Sequence, residues 1–177
     1  MELLQGKALG NLFRTFERTA FHLEVQDAYH TPEESDPFSL FLNGRDDDLA
    51  WLQPWLALVG EATSAGKEIT RARVVTVPHG DYTRWGLTIA EHNITAGEDI
   101  RWLPRDLIDP AELTTDDYWL FDDNRVVFTV FTSDGASGGG VVTTDPVIVR
   151  HCRSVRDRVW EAAIPHAQYR VSDYTTA

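Results

Sequence analysis

A single cysteine, Cys152, excludes an intrachain disulfide framework and any zinc site built from several thiolates. Basic charge is scarce as well: 16 Lys and Arg stand against 28 Asp and Glu, giving net charge −12 and pI ≈ 4.8. A polyanion needs a basic face, and no basic block stands out, so direct contact with nucleic acid is not expected. No stretch approaches the ~18 consecutive apolar residues of a membrane span. The opening MELLQGKALGNLF lacks a basic n-region, a long apolar run and a small-residue cleavage site. These absences predict a soluble, cytoplasmic chain with no membrane partner.

Catalytic signatures are missing too. The histidines His22, His30, His79, His92, His151 and His166 form no H-x-x-x-H or H-x-x-E-H pair, and no serine lies in a G-x-S-x-G elbow. The glycines at 135–140 lack the following Lys-Ser/Thr of a phosphate loop and precede a strand. Asp116, Asp117, Asp122 and Asp123 offer oxygen ligands without the glycine and glutamate that mark a calcium loop. Neither a metal nor a cofactor is expected.

What the chain does contain is apolar material: 177 residues, 42% hydrophobic, with six Trp. That suits one domain over 1–177, long enough to bury roughly 70% of its unfolded surface. Leu9, Leu12, Phe13 and Phe16 recur at helical spacing, predicting an N-terminal helix over 3–19. In AFHLEV, Phe21, Leu23 and Val25 alternate with His22, Glu24 and Gln26, the pattern of a half-buried strand. A short helix around Phe38–Leu42 ends at Asn43-Gly44. The next, opening near Asp46–Asp48, either starts late or kinks at Pro54. ITRARVVTVP reads as a strand, Asp81 opens a helix closed by Gly97, and IRWL is a further strand. Asp117–Phe131 reads as a hairpin turning at Asp123-Asn124. The stretch 133–140 is too glycine-rich to order itself, VVTT is a strand, and Asp145-Pro146 opens a last helix whose core face is Ile148, Cys152, Val155 and Val159. The tail 166–177 shows no period. This order predicts an α/β (α+β) fold with a single mixed sheet flanked by helices.

Two constellations carry functional weight. Arg71 and Arg73 share one face of their strand, with Arg101 on a strand expected beside it and Arg84 and Arg105 nearby. Charged residues alternating with valine need partners, such as Glu24, Glu91, Glu98 or Asp99, or they line a pocket for a small anionic ligand. The second is the acidic hairpin. Read back from Asp122, it resembles the second half of a phospholipase-D-type motif, in which H-x-K precedes the aspartate. Thr115 stands at the histidine position and Asp117 at the lysine position, so any kinship is of fold without the catalytic His and Lys.

Through RVVTVPHGDYTRWGLTIAEHNITAGEDIRWLPR, DYWLFDD and VRDRVWEAAIPHAQYR, the chain resembles an uncharacterised actinobacterial family classed as a domain of unknown function, over nearly all of residues 11–169. Genes of that family stand beside helix-turn-helix regulators resembling antitoxins and beside very small acidic proteins. The resemblance therefore implies a regulatory setting, not a reaction. Its landmarks fall here on Glu24, Tyr29, Arg71, Arg73, Tyr82, Arg84, Asn93, Glu98, Asp99, Arg101, Trp119 and Asp122, the candidate ligand-binding set. The leading expectation is a non-catalytic regulatory or ligand-binding module working with a helix-turn-helix regulator. The rival is a small enzyme of specialised metabolism or a toxin-like hydrolase with a pocket near Glu98, Asp99 and Asp122. A third is a homodimer with Trp51, Trp55 or Trp160 at its interface.

Overall fold

A computed structural model describes residues 1–132 and 137–176. Eight strands among them form one mixed sheet: β1 (Glu2–Leu4), β2 (Thr19–Glu24), β3 (Glu68–Val75), β4 (Asp99–Pro104), β5 (Tyr118–Phe121), β6 (Arg125–Phe131), β7 (Ser137–Thr143) and β8 (Ile164–Pro165). Their spatial order is β1-β7-β6-β5-β2-β3-β4-β8. β2, β3 and β4 run parallel, while β5, β6, β7 and β1 extend the sheet antiparallel beyond β2. The helices are α1 (Gly6–Thr15), α2 (Ser35–Leu42), α3 (Gln53–Ser64), α4 (Asp81–Thr95), α5 (Pro146–Ala162) and α6 (His166–Tyr169). No described helix is long and apolar enough to cross a membrane.

The α+β reading with one mixed sheet holds. Sequence alternation along the strands decides which helix covers which face. Phe21, Leu23 and Val25 of β2, Ala72 and Val74 of β3, and Tyr118 and Leu120 of β5 pack against the α5 stripe Val149, Cys152, Val155 and Val159. The 3-3-4 spacing of that stripe is the helical period, and each valine fully buried there contributes about 1.5–3 kcal/mol. Asp145 caps α5 by accepting from the Val147 and Ile148 amides, and Pro146 sits in the first turn where its missing N–H is harmless. Cys152 is fully buried in this layer.

The opposite face carries two separate apolar clusters. Phe16, Val59, Ile69, Trp119 and Phe121 join α1 and α3 to the sheet. Val75, Ala90, Ile100, Trp102 and Tyr169 join α4 and α6 to it. The side chains between them are His22, Glu24, Arg71 and Arg73.

Several elements differ from expectation. The predicted helix over 3–19 is shorter, because Gly6 at φ 51 turns the chain and Glu2–Leu4 pairs with β7 instead. α3 starts late, with Pro54 in its first turn rather than at a kink. The hairpin turns on Asp122 and Asp123, which hold φ 50 and φ 58, one residue earlier than predicted. Of the predicted loop 133–140, residues 133–136 lie outside the described residues. Residues 137–140 are not loop but the start of β7, where Gly140 lies so close to the Val127 side chain that a Cβ would collide. The tail is built into the fold: Tyr169 is fully buried, stacks on Trp102 at 5.7 Å, and its hydroxyl meets His79 Nε2 at 2.9 Å. Gly97 adopts φ +113 against Thr63, closing α4 as a helix-ending glycine does.

Candidate functional site

The polar face of β2 is not solvated as half-burial predicts. Glu24 is only 5% exposed, lying at the last position of its strand beside Arg73 of β3. Arg71 Nη1 donates to Glu24 Oε1 at 2.6 Å, and Arg73 Nε donates to Glu24 Oε2. Arg71 Nε reaches the other way to Glu98 Oε1 at 2.7 Å, and Trp55 Nε1 also donates to Glu98, at 3.4 Å. The result is a buried chain Glu98–Arg71–Glu24–Arg73 with two charges of each sign. Removing four charges from water is unfavourable unless each is paired and hydrogen-bonded, as these are. Burial opposes ionisation of Glu24, but the guanidinium groups of Arg73 and Arg71 outweigh it and hold the carboxyl down to about 2. Burial likewise opposes the charge of Arg71, yet Glu98 and Glu24 raise its pKa. Gly86 of α4 lets the helix approach: a Cβ there would collide with the Arg73 guanidinium.

Beside this chain opens a cleft of about 220 Å³. It is lined by the polar side chains of Glu24, Arg71, Arg73, Tyr29, Glu34, Tyr82 and Asp117 and by the apolar ones of Leu9, Phe13, Trp119, Val127 and Phe131. The cleft lies over one face of the sheet, where His22 and Glu24 of β2, Arg71 and Arg73 of β3, Trp119 of β5 and Val127 and Thr129 of β6 share a side, with Leu9 and Phe13 of α1 beside them. Two carboxylates there form no salt bridge among the described residues, although Arg73 acts on both at longer range. Glu34 Oε2 accepts from the Tyr82 hydroxyl at 2.5 Å. Asp117, 1% exposed, accepts from the Val25 amide at 2.8 Å and from the Tyr29 hydroxyl. Burial pushes Asp117 up to about 6 despite those donors, and burial likewise raises Glu34. Tyr82 is raised by burial and by Glu34.

His22 stacks on Trp119 with centroids 4.1 Å apart and 12° between planes. Burial lowers its pKa to about 3, with Glu24 pulling less strongly the other way, so the ring is neutral at pH 7. Its Nδ1 lies 3.4 Å from Glu24 Oε1 without forming a hydrogen bond. On the far side of Tyr29, Thr31, Glu34 and Tyr82 lies a second, open hollow of about 480 Å³ that includes Phe38 and Asp81.

Of the twelve residues singled out in the sequence, Glu24, Tyr29, Arg71, Arg73, Tyr82 and Trp119 meet at the cleft. Glu98 lies behind it as the partner of Arg71. Asn93 is buried on α4 beside a smaller void of about 30 Å³ that also touches Arg71 and Arg73. The other four lie elsewhere. Arg101 does not converge with Arg73: side chains alternate along β4, so it points to the α5 face, lies 4.0 Å over Trp160 and donates to the Trp160 carbonyl. Asp99 is exposed near Arg101, and Arg84 forms an exposed pair with Asp81 at 2.5 Å.

Asp122 belongs to the corner of the hairpin. Its carboxylate accepts from the amides of Glu17, Arg18 and Thr19, pinning the turn between α1 and β2. Burial works against its charge, and the three amides prevail and lower its pKa. The expected pocket near Glu98, Asp99 and Asp122 is therefore not formed. The four hairpin carboxylates also scatter, with Asp123 paired to Arg156 at 2.5 Å. Among the described residues no group of three or more His, Cys, Asp or Glu side chains is arranged to hold a metal ion. Trp51 stacks on Trp85 at 5.7 Å, Trp55 packs edge-on to Phe13, and Trp160 edge-on to Phe21.

Sequence reading missed His22, Glu34, Asp117 and Phe131 as cleft residues. For His22 a signal existed, since it lies two residues from Glu24 and alternation puts both on one face. Asp117 stands out in the sequence as an oxygen ligand and as a carboxylate at the lysine position of the phospholipase-D-type motif, not as a cleft residue. Glu34 and Phe131 come from a turn-rich segment and a strand end, where periodicity gives no direction. None of the curated proteins matches the chain. The model of the domain-of-unknown-function family DUF6879 matches residues 7–171, nearly the whole chain, and the protein belongs to that family.

Proposed function

We propose that the protein is a ligand-binding module that takes a small amphipathic molecule in the cleft between β2, β3, β5 and α1. One observation carries the reading: a cavity of about 220 Å³ lined both by ionisable side chains and by aromatic ones. Binding sites combine an apolar body with a few placed polar groups in this way. Screening by thermal shift tests it. A ligand at 100 times its Kd stabilises by about 2.7 kcal/mol, which for a chain of this length raises Tm by roughly 5–10 °C. Thr129→Trp, which fills the cleft from β6, is expected to abolish that shift; a shift surviving it would place binding elsewhere.

The regulatory side of the proposal, with a helix-turn-helix protein as partner in an actinobacterial setting, draws on the gene neighbourhood that the family resemblance implies. Net charge −12 suits a basic DNA-binding partner rather than DNA. Failure of the neighbouring regulator to co-elute on gel filtration would remove it. Distant kinship with half of a phospholipase-D-type fold stays part of the same proposal, without its chemistry: Asp117 is a buried carboxylate where a cation over phosphate would be needed.

The enzymatic alternative has one specific support. Asp117 titrates at about 6 inside a cleft, a value suited to general acid–base work. Ester, amide or phosphodiester turnover that is equal in wild type and Asp117→Asn would sink it.

A further inference from the structure

We propose that the cleft is built for an organic cation: an ammonium head seated between Glu34 and Asp117, with an aromatic body against Phe13, Trp119 and Phe131. This rests on the ligand-binding reading and narrows it to one class of head group, opposite in sign to the anion that the arginines imply in the sequence.

Charge decides the class. Arg71 and Arg73 are matched by Glu24 and Glu98, two against two, through buried hydrogen bonds. Outside those pairs the carboxylates at the cleft are Glu34 and Asp117; Arg73 acts on both only at longer range, and the side chains bonded to them are tyrosine hydroxyls, Tyr82 and Tyr29. Each hydroxyl supplies one proton, whereas a carboxylate has about four acceptor positions, so acceptor capacity remains even after the Val25 amide is counted on Asp117. An anionic head would add a third negative charge here, and at ~4 Å and moderate dielectric such repulsion is severe. His22 brings no positive charge to offset it, since burial holds the ring neutral.

The walls suit a cation as well. Tyr29 stands 5.8 Å from Tyr82, centroid to centroid, so two rings line the region where the head would sit, and 5.7 Å from Phe131 on the side of the aromatic body. Aromatic faces attract ammonium groups within about 6 Å. The same layer of rings already neighbours cations, with the Arg71 guanidinium carbon 5.9 Å from Trp119 and that of Arg73 5.5 Å from Trp102. Size is adequate, because an apolar cavity of about 150 Å³ takes benzene, and about 220 Å³ leaves room for a short ammonium arm.

Three probes of equal shape separate the possibilities by calorimetry near neutral pH and low salt: 4-phenylbutylamine, 4-phenylbutanol and 4-phenylbutyrate. The amine is expected to bind about tenfold tighter than the alcohol, and the butyrate weaker than either. Glu34→Gln and Asp117→Asn are each expected to erase most of the amine's advantage over the alcohol. Melting curves of both variants confirm that they are folded. Alcohol or butyrate binding as tightly as the amine would overturn the cation assignment and leave the ligand-binding reading standing. No binding by any of the three at millimolar concentration would overturn the assignment and count against the cleft as a ligand site. An amine preference unchanged in both variants would show that these carboxylates do not hold the head, and would overturn it too.

Discussion

Replacing Glu24 by glutamine is expected to destabilise the protein by about 3–5 kcal/mol at pH 7, the range for removing one partner of a buried ion pair. For a chain of this length that lowers Tm by roughly 6–20 °C. The cause is not the loss of one hydrogen bond. Glu24 is the shared partner of Arg71 and Arg73, and Arg73 is left with no carboxylate of its own when Glu24 is neutral. Arg71 keeps Glu98. Adding Arg73→Met to Glu24→Gln is therefore expected to restore part of the loss, with a coupling of about 1–3 kcal/mol in a double-mutant cycle. The pH dependence follows from the sign of the shift. Glu24 is lowered from 4.5 to about 2, so its contribution is complete above 4.5 and disappears as pH falls through about 2. Wild type and Glu24→Gln should converge there. A loss below about 1 kcal/mol at pH 7 would mean that the ion chain is solvated and weak, as surface pairs are.

Asp117→Asn is expected to do the opposite and stabilise the protein at pH 7. Burial lifts Asp117 from 3.8 to about 6. A carboxyl raised in the folded state contributes stability that is full below 3.8 and is lost as pH rises through about 6. Above that pH the fold carries an ionised group in an unfavourable place. Asparagine keeps an oxygen for the Val25 amide and offers the Tyr29 hydroxyl a donor, so the gain is about 1–3 kcal/mol at pH 7 and near zero at pH 4. His22 runs the other way. Lowered from 6.5 to about 3, it makes stability rise with pH up to 6.5. In wild type the two trends offset each other between pH 4 and 6; in Asp117→Asn the rise stands alone. Denaturant melts at several pH values read this directly, and a variant less stable than wild type at pH 7 would contradict it. A residue kept against stability in a cleft is the mark of a functional site.

Much of this was legible in the chain and part was not. Alternation in ITRARVV puts Arg71 and Arg73 on one face of their strand, and the cost of burying such charges makes them leading candidates, with Glu24 among their possible partners. The same alternation carries Arg101 to the other face once the register of β3 and β4 is known, with Ala72 opposite Arg101 and Arg73 opposite Trp102. Register is a long-range property that no local pattern states. The α5 stripe was readable from its period, and its cap from Asp145-Pro146. β1 and the buried Tyr169 were not, because each is held by partners more than 60 residues away. The cleft joins strand and helix residues to Tyr29, Thr31 and Glu34 from the turns between β2 and α2, where neither a period of two nor of 3.6 points a side chain.

The most direct measurement is a pH titration of the Asp117 side-chain carboxyl carbon by NMR, alone and with 4-phenylbutylamine. The account predicts a midpoint near 6 in the free protein, moving down when the amine is bound because a neighbouring cation favours the ionised form. A midpoint close to the ordinary 3.8 in the free protein, or one that does not move while the amine binds, would contradict it.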